Sequence, residues 1–399
     1  MRIVDLTKAP YSLTGQGYEG GTLQGAVDDA DPGDVLDLGG VTVRFGPPTG
    51  QLNLLVDKAI TLRNGGIIVT SGRGITIAPN VVASELTMNA AMANGVTCTV
   101  SPGDTTIAAE NHGLSSGDRA LLATVQATDG TPFVHERVEV LSVAGDVVTL
   151  RRPLTLDVPD DTPCRLLAHP TTLVGVAVED MVISGHTNQA VYAVWVDGFR
   201  AEALLCSGGI QPWAIGAYAQ NATDVLIYGC KVEGGYAGCV FAGVEGLVVE
   251  DCTIDTLSGF GVFCDEPCMD VTIDGNRITG ASIAGIQCSR ASDLLVRSNV
   301  IRRCGAGLAG RVGIIVKACL RPVVDDNVII MPTLAGQYAF QDSVAVRLFW
   351  EGWSHYENTP ALVTGNRGHG AAVPGVQNGF PTVPASALGN LVASGNELG

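Results

Sequence analysis

Four charged residues could carry acid–base chemistry: Asp265, Glu266, Arg290 and Lys317. A carboxylic acid can protonate a leaving group or activate a nucleophile, and a Lys or Arg can assist proton removal. Asp265 and Glu266 are adjacent, so on an extended strand their side chains point to opposite sides and cannot both face one bond. If these residues are catalytic, we therefore expect Asp265 to work with Lys317. A ladder of solvated, mutually compensating charges is the alternative, and it stays open.

A second unusual stretch is "RLFWEGWSHYENTP", from Arg347 to Pro360, in a chain with only 5% aromatic residues. Trp350, Trp353, His355 and Tyr356 stand close together in it. An exposed aromatic cluster could form a flat binding platform. A long loop whose aromatic side chains cover the protein core is the alternative.

Metal and cofactor chemistry has little support in the sequence. The six histidines show neither HxH nor HExxH spacing, and no paired CxxC motifs occur among the eleven cysteines. We expect no metal and no cofactor. The odd number of cysteines in a long chain predicts reduced, buried thiols and no disulfides.

Composition and charge exclude several classes of partner. The chain has 399 residues, 46% of them hydrophobic, with 51 glycines and a net charge of −17, which indicates an ordered, turn-rich protein. Nucleic acid is not an expected partner, because phosphate binding needs clustered Lys and Arg. No apolar run is long enough to insert into a membrane, and "MRIVDLTKAPYSL" lacks the apolar core of a secretory signal.

The charged residues lie within a repeat. Its units step by 22, 24, 23 and 28 residues when they are aligned on one turn position. The aligned segments are "DVLIYGCKVEGG" (Cys230), "GLVVEDCTIDTLSG" (Cys252), "DVTIDGNRITGAS" (Asn276), "DLLVRSNVIRRCG" (Asn299) and "RPVVDDNVIIMP" (Asn327). "LVTGNRG" at Asn366 and "LVASGNELG" at Asn396 extend the pattern.

Within a unit the hydrophobic period is two, which predicts a strand, a sharp bend and a second strand. A third strand follows a glycine, as in "GVFCDE" and "GIQCSR", and aligning these strands on their glycines places Asp265, Ser289 and Lys317 in one column. Stacked coils would bury their inner faces and align equivalent residues in rows. The rows predicted to be interior or at the turn are Ile227, Val249, Ile273, Val296 and Val324, then Cys230, Cys252, Asn276, Asn299 and Asn327.

This pattern resembles the right-handed parallel β-helix of the pectate-lyase-like superfamily. The predicted fold is all-β, with residues 1–95 forming a cap and the first coils and residues 171–399 the main coils. "TLQGAVDDADPGDVLDLGG" predicts a capping helix with Leu23, Ala26, Val27 and Ala30 on its apolar face. Residues 96–170 predict a small inserted antiparallel β subdomain, with hairpin turns at 116–118 and 144–146.

The resemblance implies carbohydrate as the ligand and favours the tailspike branch. We expect a phage virion protein that binds bacterial surface polysaccharide, with weak or absent cleavage, and that assembles as a homotrimer with other virion proteins. The charged set would be the catalytic candidate and the aromatic set the binding platform. An extracellular polysaccharide lyase, hydrolase or epimerase is the alternative. The polygalacturonase motifs are not met, because "GHG" at 368–370 has no "NTD" before it and no "RIK" after it.

Overall fold

The chain divides into two compact units, one formed by residues 1–84, 172–349 and 359–399 and a second that includes residues 85–171. The computed structural model describes residues 1–46, 52–79, 94–124, 135–155, 160–168, 172–207, 214–255, 257–265, 268–305, 312–317, 319, 321–330, 344–349, 361–369, 376–378, 391–394 and 397–398.

The first unit is the predicted right-handed parallel β-helix. Each coil contributes a strand to a first face, a short strand to a second face and a strand to a third face. Residues 269–289 show this order, with strands Met269–Asp274, Arg277–Thr279 and Ala284–Ser289. The predicted coil of three short strands is therefore confirmed.

The first face comprises Ile3–Asp5, Val35–Asp37, Thr61–Ile68, Leu173–Ser184, Val196–Glu202, Thr223–Tyr228, Glu245–Glu250, Met269–Asp274, Ser292–Arg297, Val323–Asp325, Ala361–Thr364 and Leu391–Ser394. The second face comprises Thr42–Arg44, Leu205–Ser207, Lys231–Glu233, Thr253–Asp255, Arg277–Thr279, Val300–Arg302, Val328–Ile330, Arg367–His369 and Glu397–Leu398. The strands Thr61–Ile68 and Leu173–Ser184 continue onto this face.

The third face is a separate parallel sheet. It comprises Leu54–Val56, Ile75–Ile77, Gln189–Val194, Ile215–Gln220, Ala237–Ala242, Phe260–Cys264, Ala284–Ser289, Val312–Lys317, Val344–Phe349 and Val376–Asn378.

The predicted interior row is confirmed by strand register. Ile227 pairs with Val249, Val249 with Ile273, Ile273 with Val296, and Val296 with Val324, and all five are fully buried. Because the row repeats at the strand spacing of about 4.8 Å, its β-branched side chains stack directly on one another inside the core.

The turn asparagines form a hydrogen-bonded ladder. Nδ2 of Asn276 donates to Oδ1 of Asn299 at 3.0 Å, and the same contact joins Asn299 to Asn327 at 2.9 Å and Asn327 to Asn366 at 2.8 Å. All four are fully buried. The predicted coil at Asn366 is confirmed, and strands Leu391–Ser394 and Glu397–Leu398 add one more. Asn396 lies outside the described residues.

The asparagines do not themselves adopt the left-handed backbone of the turn. The left-handed backbone falls on the residue before each asparagine, with φ of +66° at Gly275, +55° at Ser298 and +48° at Asp326. The asparagines instead satisfy buried backbone groups, since Nδ2 of Asn299 also donates to the carbonyls of Ile273 and Arg297.

The predicted capping helix is present at Gly20–Asp29, with Leu23, Ala26 and Val27 buried. Its Gln24 covers the edge strand Leu54–Val56: Nε2 donates to the Leu55 carbonyl and Oε1 accepts from the Leu55 N–H, both at 2.9 Å. The helix thus supplies the hydrogen bonds that a further coil would otherwise provide.

The second unit contains a six-stranded antiparallel sheet, as the inserted-subdomain prediction requires. The strands run in the order Val96–Val100, Thr162–Ala168, Arg119–Thr124, His135–Ala144, Val147–Leu150 and Thr106–Ala108.

One of the two predicted hairpin turns is confirmed and the other is wrong. Ala144 pairs with Val147 across a two-residue turn at Gly145 and Asp146. The turn at 116–118 does not join paired strands, because Arg119–Thr124 pairs with His135–Ala144 and Thr162–Ala168. Turn composition alone cannot identify which strands become neighbours.

Candidate functional site on the third face

The third face presents a continuous outer row. Residues at alternate positions of its strands, such as Cys239, Val262 and Ile286, point into the core and are fully buried. The positions between them are paired across coils and face outward. This outer row is Tyr192, Tyr218, Val240, Phe263, Gln287, Ile315 and Arg347.

Aromatic side chains cluster along the outer row and beside it. The rings of Phe260 and Phe263 stack with centroids 4.3 Å apart, and Tyr236 meets Phe260 edge-on at 6.0 Å. Tyr192 and Tyr218 lie 5.3 Å apart on neighbouring coils. We call these five residues the lateral aromatic patch.

Strand packing holds the lateral aromatic patch in place. Tyr218, Tyr236 and Phe263 are half-buried, and they pack with Val240 and Ile315 in one apolar cluster. The guanidinium of Arg73 lies 4.1 Å from the ring centre of Tyr192, a cation–π contact. Tyr192 and Phe260 are buried, so the half-buried rings of Tyr218, Tyr236 and Phe263 are the preorganised aromatic surface that a sugar ring could contact.

Three of the four predicted charged residues come together beside this patch. Asp265 follows strand Phe260–Cys264, Arg290 follows Ala284–Ser289, and Lys317 ends Val312–Lys317. Ser289 pairs with Lys317 as the glycine alignment predicted. Both Arg290 and Lys317 act electrostatically on the carboxyl group of Asp265. Glu266 lies outside the described residues.

The carboxyl group of Asp265 is partly desolvated. Its pKa is raised above the usual aspartate value because nearby protein atoms displace water, while the positive charges of Arg290 and Lys317 oppose that shift. The side chain nevertheless remains exposed, so the desolvation is partial. Asp265 also contributes to a raised pKa of Tyr236, after the larger effect of that ring's own burial. The charged set and the lateral aromatic patch therefore meet at Tyr236 and Asp265.

The predicted binding residues Trp350, Trp353, His355 and Tyr356 lie outside the described residues. The alternative of a long loop does not hold for the first residues of that stretch. Arg347–Phe349 belongs to strand Val344–Phe349 of the third face, and Arg347 pairs with Ile315 in the outer row.

A second row of outward residues, on the first face, also carries charged side chains. Tyr228, Glu250, Asp274, Arg297 and Asp325 follow one another in register. Arg297 is 2.8 Å from Asp274 and also interacts with Glu250 and Asp325. Arg297 offsets part of the negative charge of the three carboxylates, as expected for a solvated ladder.

The sequence reasoning missed the lateral aromatic patch. The alignment on glycines that placed Asp265, Ser289 and Lys317 in one column also places Val240, Phe263, Gln287 and Ile315 two residues earlier, facing the same way. The sequence therefore contained the signal for this part of the outer row. The contributions of Tyr236 and Phe260 depend on the turn before each strand, which the alignment does not fix.

No group of three or more His, Cys, Asp or Glu side chains with metal-binding geometry occurs in the part of the chain that the structure describes. Over the same residues, no helix is long and apolar enough to cross a membrane. All eleven cysteines lie in the described part of the chain, where each is buried and outside any disulfide, and Cys264 and Cys288 occupy the same position on neighbouring coils.

Comparison with known proteins agrees with this architecture. Residues 209–345 match the family described as right-handed beta helix region. The tailspike of Pseudomonas phage phi297 superposes with a TM-score of 0.50 at 13% identity, covering 94% of this chain and 76% of the tailspike. The tailspike of Pseudomonas phage LKA1 gives 0.50 and 13%, covering 95% and 74%.

The A-module of an Azotobacter vinelandii mannuronan C-5 epimerase superposes with a TM-score of 0.49 at 15% identity, covering 96% of each chain. No curated protein matches the sequence significantly. The protein is a right-handed parallel β-helix, and at these identities the structural similarities show the fold alone.

Proposed function

We propose that this protein is a phage virion component, of tailspike, tail-fibre or decoration type, that binds bacterial surface polysaccharide along the third face. The proposal rests on one observation: the lateral aromatic patch lies directly beside the charged residues around Asp265. Aromatic rings supply stacking surfaces for sugar rings, and the charged residues supply hydrogen bonds to hydroxyl groups. The fold shared with two phage tailspikes supports the virion setting.

Cleavage is expected to be weak or absent. Glycoside hydrolysis uses two carboxyl groups on opposite sides of the scissile bond. In the described part of the charged set, Asp265 is the one carboxylate, flanked by Arg290 and Lys317. This arrangement can orient a glycan but lacks the pair of acids.

An extracellular lyase, hydrolase or epimerase is the second candidate. The observation that favours it is the raised pKa of Asp265, which would help a carboxylic acid donate a proton, together with the nearby ammonium group of Lys317. Assembly as a homotrimer and contact with other virion proteins belong to the first proposal.

The test is a binding assay of the full chain on a panel of purified bacterial capsular polysaccharides and lipopolysaccharides. Any polysaccharide that binds is then incubated with the protein, and released oligosaccharides are measured by reducing ends and by ultraviolet absorbance of unsaturated products. We expect binding without release. Failure of the whole panel to bind would count against the proposal, and release that Asp265→Ala abolishes would establish the enzyme instead.

A further inference from the structure

The antiparallel sheet of the second unit contains a groove between its two edge strands. Val96–Val100 and Thr106–Ala108 are joined by the turn at 101–105, but Val96–Val100 pairs with Thr162–Ala168 and Thr106–Ala108 pairs with Val147–Leu150. The two edges therefore diverge from the turn. The space between them has a volume of about 820 Å³, within the usual range of ligand sites.

Hydrogen bonds hold both walls of this groove. On one wall, the N–H of Ala109 donates to the Asp146 carbonyl at 2.8 Å, and the N–H of Leu114 donates to Nδ1 of His112 at 2.9 Å. Asn111 between them has a left-handed backbone, with φ of +55°. On the other wall, Nη1 of Arg165 donates to the Gly95 carbonyl at 2.8 Å. The groove is thus formed before any ligand arrives.

The polar groups of the groove favour a hydroxyl-rich ligand. Two carboxylates, Glu110 and Asp146, accept hydrogen bonds, and the guanidinium of Arg165 donates them. Asn111 can do both. Sugar hydroxyls donate and accept at once, so they can serve all these groups. An anionic ligand is disfavoured, because two carboxylates would repel it and only one guanidinium would attract it. The lining residues are Gly95, Val96, Thr97, Cys98, Thr99, Ala108, Ala109, Glu110, Asn111, Asp146 and Arg165.

We propose that this groove is a second saccharide site, selective for neutral sugars and separate from the third face. An extended peptide added to an edge strand is the other occupant that such a groove could take. Peptide addition would use the backbone of Val96–Val100, whereas a sugar would depend on the side chains of Glu110 and Asp146. The polar lining favours the sugar.

The test is a titration of the isotope-labelled full chain, followed by amide NMR, with glucose, galactose, mannose and N-acetylglucosamine as separate probes. At least one sugar should shift the amides of Thr97, Thr99 and Asn111. The double variant Glu110→Gln plus Asp146→Asn should weaken that affinity by about tenfold, as expected when charge-assisted hydrogen bonds are lost. Asp160→Asn, a matched change on an exposed residue of the same unit outside the groove, should leave it unchanged.

Absence of groove shifts with all four sugars would overturn the proposal, as would equal affinity in the double variant. A short alternating Thr-Val peptide that shifts Val96–Val100 when no sugar does would assign the groove to peptide. Because the third face is assayed with polysaccharide and with variants of its own residues, failure at the groove leaves the proposed function untouched.

Discussion

The side-chain oxygen of Asn299 accepts two hydrogen bonds from Asn276 on the preceding coil, from its backbone N–H and from its Nδ2, both at 3.0 Å. The side-chain oxygen of Asn327 serves Asn299 in the same way, with distances of 3.0 and 2.9 Å. Each buried amide therefore links its own turn to the turns of both neighbouring coils.

This relationship makes Asn299 a stability-determining residue. Asn299→Ala removes the acceptor of the Asn276 N–H and the side-chain donor to the carbonyls of Ile273 and Arg297. We expect a loss of about 3 kcal/mol in the free energy of unfolding, measured by denaturant titration. Arg297→Ala, two residues away on the exposed surface, serves as the control and should cost less than about 1 kcal/mol. Equal losses in the free energy of unfolding for the two variants would show that the asparagine ladder adds no more stability than a surface ion pair.

A glycine inside the third face should tolerate no side chain. A Cβ on Gly261 would lie 2.4 Å from the Gly285 carbonyl oxygen and 2.4 Å from Cγ2 of Ile278. Gly261→Ala should therefore destabilise the protein by more than about 3 kcal/mol. The matched change Gly25→Ala, in the capping helix where a Cβ meets no atom within 4 Å, should stabilise it by about 1 kcal/mol. Thermal unfolding of the two variants should shift in opposite directions.

His186 should make stability fall at mildly acidic pH. The side chain is 1% exposed, and burial lowers its pKa from 6.5 to about 4. The unfolded chain binds this proton below about pH 6.5 and the folded chain only below about pH 4, so stability rises with pH between these values. The contribution lost on acidification is about 3 kcal/mol. Unfolding of His186→Leu, followed against pH beside the native protein, should show a flatter profile over that window. An unchanged profile would mean that His186 titrates normally.

The fold was predictable from the sequence because every stacked coil has the same local requirements for burial and hydrogen bonding. A buried turn must satisfy the same backbone groups in every coil, so asparagine recurs at 276, 299 and 327, and the interior row repeats β-branched residues. Long-range contacts do not repeat in this way. The order of strands in the inserted sheet depends on pairings between distant segments, and turn residues such as Gly117 carry no information about them.

The candidate site was predictable only in part for the same reason. Asp265 and Lys317 could be placed together because each lies four residues after the glycine at the second position of a third-face strand. Tyr236 and Phe260 precede or begin their strands, where turn lengths differ between coils. Their contact at 6.0 Å follows from the local path of the chain, which the repeat does not encode.

Loss of two rings from the lateral aromatic patch should weaken polysaccharide binding. Tyr218→Ala plus Phe263→Ala removes two rings of the lateral aromatic patch from a rigid sheet. Stacking losses of about 1 kcal/mol per ring predict a weakening of polysaccharide binding of about tenfold or more, measured by the assay on purified polysaccharides. Tyr228→Ala is the matched control, since this tyrosine is 44% exposed on the first face. It should leave binding unchanged.

The same assay tests the aromatic residues proposed from the sequence. Trp350→Ala plus Trp353→Ala should also weaken binding, and by more than Asp265→Ala changes any release of oligosaccharides. The reason is chemical: aromatic surface provides affinity without cleavage, whereas Asp265 alone lacks the second carboxyl group that hydrolysis requires. If Asp265→Ala instead abolishes a measurable release while all four aromatic substitutions leave binding intact, the third face is a catalytic surface and the ranking is reversed.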